Sequence, residues 1–359
     1  MKKLNVLVTG GGAPGISGTI HALRFNGENR EIKIVTIDAR NDVVGKYLSD
    51  AFYKVPKAKD PEYINAVMRI CEFEKIDVIL PQVTMELQKF SDHKREFLSK
   101  GVKVVVVDSE AMKVSNDKYE LMRIFSGLGY KQGKFELISS KSQLRDFAKK
   151  CEYPSKKFVV KPTVSNGMRG LRIVDSEKLN LKAFLNEKPS GEKATLDEIS
   201  DLFDDGDLQL VGMEYFPGKE YTVDVYRSPL SRKTVVIPRS RDVIRTGITF
   251  EGKLIKNGTI IEMSQKLSEA LGMNYSFGFQ YKMDQYGNPH LLECNPRIQG
   301  TMIMSVLGGA NMIYWSVKES LGENLDLDKV EIKWGLNFKR LWGGIAIYDG
   351  QVKNILSSD

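Results

Sequence analysis

The sequence has few cysteines and no long apolar run, and each of these features excludes a class of protein. Three cysteines occur in 359 residues, at Cys71, Cys151 and Cys294, far apart and without CxxC spacing. An odd number of widely spaced thiols argues against a disulfide framework and against a structural zinc site, so buried or idle thiols are expected. No stretch of about 18 apolar residues exists, so no membrane span is expected.

A secretory signal and a basic tract are also lacking. The start, MKKLNVLVTGGG, reaches glycine after only a few apolar residues, so the cytoplasm is the expected location. The net charge of +7 comes from 53 basic residues interleaved with 46 acidic ones, with no run of five or more basic residues. This pattern does not favour a nucleic-acid partner, and weak attraction of anionic small molecules explains the charge equally well.

The remaining composition is that of an enzyme-sized globular protein. Hydrophobic residues make up 42% and charged residues 28%, with 31 glycines. No low-complexity tract or internal repeat is visible, so an ordinary packed protein is expected. The length predicts two or three compact units.

The first part of the chain alternates short apolar runs with helical patterns. Continuous apolar strands separated by helices predict a doubly wound parallel sheet, over residues 1–114. The predicted strands are Leu4 to Thr9, Ile32 to Asp38, Val78 to Pro81 and Val102 to Asp108.

A glycine-rich turn follows the first predicted strand. Gly10 to Gly18 leads into a helix, and Asp38 closes the next strand. This arrangement brings backbone N–H groups toward a possible anion. A nicotinamide dinucleotide, a small acidic substrate and no ligand at all are the alternatives, and the dinucleotide is the least favoured of them.

Beyond residue 114 the sequence pattern changes to strands joined by turns. This pattern predicts an α+β arrangement of largely antiparallel sheets. A helix is predicted over Asp117 to Gly129, capped by Asn116 or Ser115. An acidic, exposed helix and loops are predicted over Asn186 to Asp207, and two final strands around residues 349–350. The other predicted strands are Phe158 to Lys161, Gly170 to Val174, Gln209 to Tyr215, Glu220 to Tyr226, Thr234 to Pro238, Phe277 to Met283 and His290 to Asn295.

Two lysines and a glycine loop are candidates for binding phosphate. Lys118 begins a predicted helix, where a lone lysine is usually a surface residue. Lys161 ends an apolar strand and precedes Pro162, which places an ammonium group beside the loop of residues 163–170. Backbone N–H groups of such a loop can fold over phosphates, although a plain hairpin turn is the alternative.

The segment from Glu214 to Asp224, EYFPGKEYTVD, places two carboxylates, Glu214 and Glu220, around a Pro-Gly turn. A purine needs an apolar slot with backbone polar partners, and a ribose needs a carboxylate to accept its hydroxyls. This segment offers both.

The motif LLECNPR carries the most specific signal. Glu293 and Asn295 point to the same side of a strand, whereas Leu292 and Cys294 point to the other, packed side. Carboxylate and amide oxygens suit Mg²⁺, and Gln280 on the preceding strand could supply a third oxygen. Arg297 offers a bidentate fork for phosphate oxygens.

Taken in order, these motifs resemble the ATP-grasp superfamily, and specifically a single synthetase module of carbamoyl-phosphate synthase large subunits. The resemblance covers nearly the whole chain. It implies a Rossmann-like pre-ATP-grasp domain over 1–114, an ATP-grasp domain over 115–332 with a lid at about 155–212, and final strands over 333–359.

The resemblance also implies residue roles, with ATP and one or two Mg²⁺ ions as cofactors and Mn²⁺ as an alternative metal. Lys118 and Lys161 would contact phosphates beneath the loop Asn166 to Gly170. The remaining implied residues are Glu214, Tyr215 and Phe216 for adenine, Glu220 for ribose, Gln280, Glu293 and Asn295 for metal, Arg297 for the acyl phosphate, Arg241 and Arg245 for phosphates or the acid, and, within the loop, Asn166, Gly167, Met168 and Gly170.

The resemblance implies a ligase that activates a carboxylate as an acyl phosphate and joins it to an amine, and by analogy a homodimer. Gln280 stands where many relatives have an acidic residue, which leaves the metal count open. The single module, without a recognisable glutamine amidotransferase, puts carbamoyl phosphate synthesis itself in doubt. Activation of bicarbonate, a non-catalytic ATP-binding module and an NAD-dependent oxidoreductase remain as alternatives.

Overall fold

The computed structural model describes residues 1–165, 169–177, 192–245, 247–341, 343–348 and 351–354. By internal contacts the chain divides into two compact units. The first combines Met1–Lys113, Tyr221–Gln280 and Cys294–Asp359, and the second combines Val114–Glu220 and Tyr281–Glu293. Each unit therefore joins segments that are far apart in the sequence, and the predicted contiguous domain limits remain a prediction.

A parallel sheet forms the amino-terminal part of the first unit, with strand order β3-β2-β1-β4-β5. The order reverses between β1 and β4, which is the point where ligands bind in folds of this class. The strands are β1 (Leu4–Thr9), β2 (Ile32–Asp38), β3 (Ala51–Lys54), β4 (Val78–Leu80) and β5 (Lys103–Val104). The helices are α1 (Ile16–Arg24), α2 (Gly45–Leu48), α3 (Tyr63–Glu74), α4 (Thr84–Asp92), α5 (Lys94–Ser99) and α6 (Ser109–Asn116).

The sheet confirms the predicted doubly wound class, with two local corrections. β3 was not predicted, because it is only four residues long, with Ala51, Phe52 and Tyr53 half-buried and Lys54 exposed. The strand predicted over Val102 to Asp108 is too long, since β5 covers Lys103–Val104 only. The valines that follow β5 are buried; the N–H of Val105 still donates to the Ile79 carbonyl of β4 at 3.0 Å, whereas the carbonyls of Val106 and Val107 accept from the side chains of Lys94 and Ser91.

The second unit is built on a mixed sheet with strand order β6-β10-β7-β8-β9. Neighbouring strands are antiparallel except β8 and β9, which run parallel. The strands are β6 (Phe135–Ile138), β7 (Phe158–Pro162), β8 (Arg172–Val174), β9 (Lys193–Ala194) and β10 (Leu210–Glu214). The helices are α7 (Lys118–Gly127), α8 (Lys141–Lys150) and α9 (Leu196–Asp201), followed by a 3-10 turn over Leu202–Asp204.

The amino-terminal cap of α7 is Asp117, which corrects the prediction of Asn116 or Ser115. The Asp117 carboxylate accepts hydrogen bonds from the backbone N–H groups of Tyr119 and Glu120. All three residue types are good caps, so only the backbone conformation decides which of them takes this position.

The carboxyl-terminal half of the chain forms the antiparallel sheets that were predicted from its many turn sequences. The strand orders are β12-β11-β15-β16, β13-β14-β17 and β18-β19. The strands are β11 (Glu220–Arg227), β12 (Thr234–Ser240), β13 (Val243–Arg245), β14 (Ile248–Lys253), β15 (Tyr275–Met283), β16 (Pro289–Asn295), β17 (Asn337–Lys339), β18 (Ile345–Tyr348) and β19 (Gln351–Asn354). The helices are α10 (Gly258–Ala270), α11 (Ile303–Leu307) and α12 (Met312–Ser320), followed by a 3-10 turn over Leu327–Lys329.

The core of the first unit joins the amino-terminal sheet to α11 and α12. Val6 and Val8 of β1 share one buried cluster with Met304 of α11 and Val317 of α12. The three cysteines are buried free thiols, as expected. None of the helices in the described part of the chain is both long and apolar enough to cross a bilayer.

A fully buried ion pair also belongs to the first unit. The Arg239 Nη2 donates to Oδ1 of Asp224, on β11, at 2.9 Å. The Arg239 Nε lies 2.7 Å from Asp224 Oδ2. Arg239 Nη1 donates to the Thr301 hydroxyl at 2.8 Å, and the Ser305 hydroxyl donates to Asp224 at 2.6 Å. Both charged side chains have no exposed surface, so each depends on the other for its neutralisation.

Removal of one partner of this pair is expected to destabilise the first unit strongly. Asp224→Ala leaves the Arg239 guanidinium buried without its carboxylate, at a cost of about 3–5 kcal/mol. The double variant Asp224→Leu with Arg239→Met removes both charges and should recover most of the loss. Urea and thermal unfolding measure both changes, and a double variant as unstable as Asp224→Ala would contradict this electrostatic explanation.

Candidate functional site

Two buried lysines lie in the second unit at the positions predicted to bind phosphate. The Lys118 Nζ donates to the backbone oxygen and to the hydroxyl of Ser165, both at 3.1 Å. The Lys161 Nζ, on β7, donates to the backbone oxygen of Leu292 at 2.7 Å. Each lysine is only 4% exposed. Lys118 is therefore not the surface residue that its sequence position alone would favour.

Burial lowers the pKa of both ammonium groups. It is the largest cause of the fall in the pKa of Lys161 to about 8, and the charge of Lys118 lowers it further. Glu293 and Glu220 act in the opposite direction on Lys161. Burial also lowers the pKa of Lys118, against the effects of Glu293 and Asp117. Ammonium groups whose pKa is lowered by burial favour the binding of an anion, because the anion stabilises their charged form.

The segment from Glu214 to Phe216 lines a cavity of about 680 Å³ in the second unit. The Phe216 ring is buried and stacks on His290, with ring centroids 4.1 Å apart and an interplanar angle of 11°. The His290 Nδ1 accepts the backbone N–H of Gly133 at 3.0 Å, so the ring proton lies on Nε2, 3.2 Å from Asp284. These contacts fix one wall of the cavity.

Two lysines lie near the Tyr215 ring, and one of them, Lys157, lines the same cavity. The Lys157 Nζ lies 4.5 Å from the centre of the Tyr215 ring, and the Lys282 Nζ lies 6.0 Å from it. Lys282 also lies 4.0 Å from the Glu220 carboxylate. Neither Lys118 nor Lys161, both within the described residues, lines this cavity. The predicted phosphate and adenine residues thus occupy neighbouring but separate parts of the unit.

The Arg297 side chain donates hydrogen bonds to residues of the first unit. Its Nε donates to the Thr84 hydroxyl at 3.0 Å, its Nη1 to the backbone oxygen of Ile298 at 3.0 Å and its Nη2 to Asn295 Oδ1 at 3.3 Å. Thr84 begins α4, directly after the strand at which the order of the parallel sheet reverses. The structure therefore brings Asn295 and Arg297 together beside that crevice.

The three predicted metal ligands lie on β15 and β16 and are half-buried: Gln280 and Asn295 in the first unit and Glu293 in the second. Leu292 packs against a cluster that includes Met122, as expected for the packed side of β16. Across the described residues there is no cluster of three or more His, Cys, Asp or Glu side chains suited to a metal. The predicted set, with one carboxylate and two amides, is not of that kind and stays a prediction.

The remaining predicted residues have more varied surroundings. The Arg241 Nη2 donates to the backbone oxygen of Gly247 at 2.8 Å, within the turn between β13 and β14. Arg245 is exposed, with its guanidinium 5.0 Å from the centre of the Phe250 ring. Gly170 has φ +77° and packs against Pro162, and a Cβ there would lie 2.6 Å from the Pro162 Cγ. The predicted loop residues Asn166, Gly167 and Met168 lie outside the described residues.

Two features of the second unit were missed by sequence reasoning. His290 supports Phe216 from 74 positions away, and no local pattern indicates a stack between such distant residues. Ser165 is the partner of Lys118, and its sequence context indicates only a polar loop. Burial and partner identity depend here on which segments meet, and periodicity does not carry that information.

Two family models match parts of the chain. Residues 8–105 match the PylC-like N-terminal domain, and residues 207–341 match the ATP-grasp domain described as occurring in the biosynthetic pathway with Ter operon. No curated protein matches the sequence. The first range covers β2 to β5 with the end of β1 and includes Thr84. The second covers β10 to β17 and includes LLECNPR.

Solved structures of ATP-grasp enzymes share the fold. N5-carboxyaminoimidazole synthetase from Staphylococcus aureus, complexed with ADP, has a TM-score of 0.68 at 16% identity, over 92% of this chain and 80% of that one. Biotin carboxylase from Campylobacter jejuni has a TM-score of 0.68 at 17% identity, over 91% and 73%. The L-amino acid ligase from Bacillus licheniformis has a TM-score of 0.62 at 13% identity, over 89% and 75%.

These likenesses establish the fold, and the family models place two named domains in order along the chain. The chain contains a PylC-like N-terminal domain followed by an ATP-grasp domain.

Proposed function

We propose that this protein is an ATP-dependent ligase that activates a carboxylate as an acyl phosphate and joins it to an amine. The observation that carries the proposal is the pair of buried lysines, Lys118 and Lys161, each only 4% exposed. The Glu293 carboxylate favours the charged form of both lysines, and Glu220 favours that of Lys161. A polyanion such as the triphosphate of ATP would complete the neutralisation of these ammonium groups. The three solved structures that share the fold are a synthetase, a carboxylase and a ligase, which supports the reaction class.

The register of the second sheet supports a nucleotide lying along β7 and β10. Lys161 pairs with Val211, and three residues further on Glu214 pairs with Phe158. That separation is about 10 Å at the rise of an extended strand, which suits a nucleoside with its phosphates. In this arrangement Glu214, Tyr215 and Phe216 would hold the base, Glu220 the ribose, and Lys161 and Lys118 the phosphates.

The reaction needs little covalent help from the protein. The substrate carboxylate oxygen attacks the γ-phosphorus of ATP, ADP leaves, and an amine then displaces phosphate from the acyl carbonyl to form an amide. Lys161 and Arg297 would stabilise the negative charge that develops on the transferred group. Arg241 and Arg245 would face the phosphates or the acid. Mg²⁺, held by Gln280, Glu293 and Asn295, would neutralise phosphate charge when bound.

A screen of acids and amines tests the proposal. Amino acids and other carboxylates, each paired with amines, are incubated with Mg-ATP and scored by ADP release and product mass. ADP formed with one acid and a coupled product of the matching mass would support the ligase. ADP released with bicarbonate in the absence of any organic acid would favour the bicarbonate-activating alternative instead.

Binding of ATP without release of ADP would support a different function. Tight ATP binding with no ADP across the whole panel would replace the ligase by a non-catalytic ATP-binding module. Binding of a nicotinamide dinucleotide would instead support the oxidoreductase alternative, because the Asp38 carboxylate, which accepts the backbone N–H of Gly12 at 2.8 Å, keeps further acceptor sites for a ribose. A cytoplasmic location and a homodimer remain predictions of this proposal.

A further inference from the structure

Three residues just before β6 connect two parts of the second unit that the proposed function uses. The Gln132 Nε2 donates to the Leu291 carbonyl of β16 at 2.8 Å, and the Gln132 Oε1 accepts the Leu291 N–H at 3.0 Å. The Lys134 carbonyl accepts the Glu214 N–H at 2.8 Å, and the Glu214 carboxylate accepts the Lys134 N–H at 3.2 Å. We call residues 132–134 the bridging segment, because they join β16 to the residues predicted to hold the base.

The middle residue of the bridging segment has no room for a side chain. A Cβ on Gly133 would lie 2.5 Å from the Phe216 Cζ and 2.9 Å from the Glu214 carboxylate. The Gly133 N–H donates to His290 Nδ1 at 3.0 Å, and the His290 ring stacks on Phe216. The position of the Phe216 ring therefore depends on both Gly133 and His290.

The turn between β15 and β16 holds the His290 ring in one orientation. The His290 Nε2 lies 3.2 Å from Asp284 Oδ2, which also accepts from Asn288 Nδ2 at 2.9 Å. The other Asp284 oxygen accepts the backbone N–H groups of Tyr286 and Asn288, both at 2.8 Å. His290 is buried, and its ring cannot rotate without losing a hydrogen bond at each nitrogen. It is therefore a rigid support for Phe216.

Three consecutive residues of β16 hold the predicted base and phosphate residues. His290 supports Phe216, and the Leu292 carbonyl accepts from the Lys161 ammonium group at 2.7 Å. Leu291, between them, is bound to the bridging segment. Neighbouring residues of a strand are only about 3.4 Å apart along its axis. One short piece of backbone thus fixes the position of the base residues relative to Lys161.

We propose that His290 and the bridging segment position the segment from Glu214 to Phe216 for the base of the nucleotide. This inference rests on the proposed function. Both act through Phe216 and Glu214, so they are positioning residues. Their effect is selective: a shift of Phe216 misplaces the contacts to the base, whereas the ammonium groups of Lys118 and Lys161 remain available to the phosphates.

Calorimetry on the full chain with two probes separates the base from the phosphates. A non-hydrolysable ATP analogue carries both, and inorganic tripolyphosphate carries phosphates alone. Each probe is titrated into the wild type, Gly133→Ala, His290→Ala, His290→Phe and Gly127→Ala. Gly127 ends α7, and a Cβ there would meet no atom within 4 Å, so Gly127→Ala is the matched control for Gly133→Ala.

The affinity for the ATP analogue should fall about 10-fold in Gly133→Ala and in His290→Ala, the loss expected when one or two hydrogen bonds to the base are misplaced. His290→Phe keeps an aromatic ring beside Phe216 and should recover part of this loss. Gly127→Ala should bind the analogue as the wild type does. Tripolyphosphate should bind all five proteins equally. If thermal unfolding shows that His290→Ala is misfolded, Gln132→Leu, which removes the pairing with Leu291, serves in its place.

Two results would overturn this inference. One is equal affinity for the analogue in the wild type and in folded Gly133→Ala and His290→Ala. The other is a parallel loss of affinity for the analogue and for tripolyphosphate, which would leave these residues with a general structural role only. In both cases binding of the analogue by the wild type leaves the proposed function standing, whereas a wild type that does not bind the analogue would remove that function itself.

Discussion

Glu293→Gln is expected to reduce Mg-ATP turnover by about 10²- to 10³-fold, the loss typical of one preorganised charge partner. The substitution keeps the size of the side chain and removes only its charge. Glu293 raises the pKa of both Lys118 and Lys161, so its carboxylate acts on the two lysines predicted to bind phosphate. ADP release with the acid identified by the screen, followed at several Mg²⁺ concentrations, measures the effect.

In Glu293→Gln, binding of ATP without metal should not weaken, in contrast to the fall in turnover with Mg-ATP. Without Mg²⁺, loss of a negative charge beside the phosphates should leave the affinity for ATP unchanged or increase it. Glu262→Gln, on the exposed side of α10, is the matched control and should retain full turnover. A folded Glu293→Gln enzyme with normal ADP release would refute the assignment of Glu293 to a metal.

Lys161→Met is expected to weaken binding of an ATP analogue about 10- to 100-fold, as for loss of a charge-assisted hydrogen bond. The Lys161 side chain is buried and its Nζ donates to a backbone carbonyl, so its ammonium group is held in one position. Calorimetry at pH 7 measures the loss. Lys149→Met, at an exposed lysine of α8 in the same unit, is the control and should bind as the wild type does.

The pH dependence of binding gives a sharper test of Lys161. Because its pKa is about 8 in the nucleotide-free protein, Lys161 loses its proton as the pH rises above that value. ATP prefers the charged form, so binding must take up a proton there. The dissociation constant should rise by up to about tenfold per pH unit above pH 8. A pH profile as steep in Lys161→Met as in the wild type would assign the effect to another group.

The same group affects stability in a defined direction. The pKa of Lys161 falls from an ordinary 10.5 to about 8 on folding, so the unfolded chain binds more protons between these two values. The cost of burying the charged ammonium is fully present below pH 8. It is relieved as the pH rises, so this lysine makes the free energy of unfolding increase across that window.

Local pattern was sufficient for the elements whose residues contact their own neighbours in a regular way. β1 and β2 match their predicted limits because each is a continuous apolar run in a buried parallel sheet. The LLECNPR strand was predicted from a different pattern. Its side chains alternate between two faces, so Leu292 and Glu293 point to opposite sides of the strand. β5 was predicted too long because an apolar run reports burial, whereas the carbonyls of Val106 and Val107 bond to side chains and not to a neighbouring strand.

The sequence by itself determined the order of the motifs, the alternation of strands and helices, and the residue types that can bind Mg-ATP. Only the tertiary structure decided that Lys118 is buried, that Phe216 stacks on His290, and that Asp224 and Arg239 form a buried ion pair. The physical reason is that burial, pKa and ion pairing are set by side chains brought together from distant segments. Periodicity describes only one segment at a time.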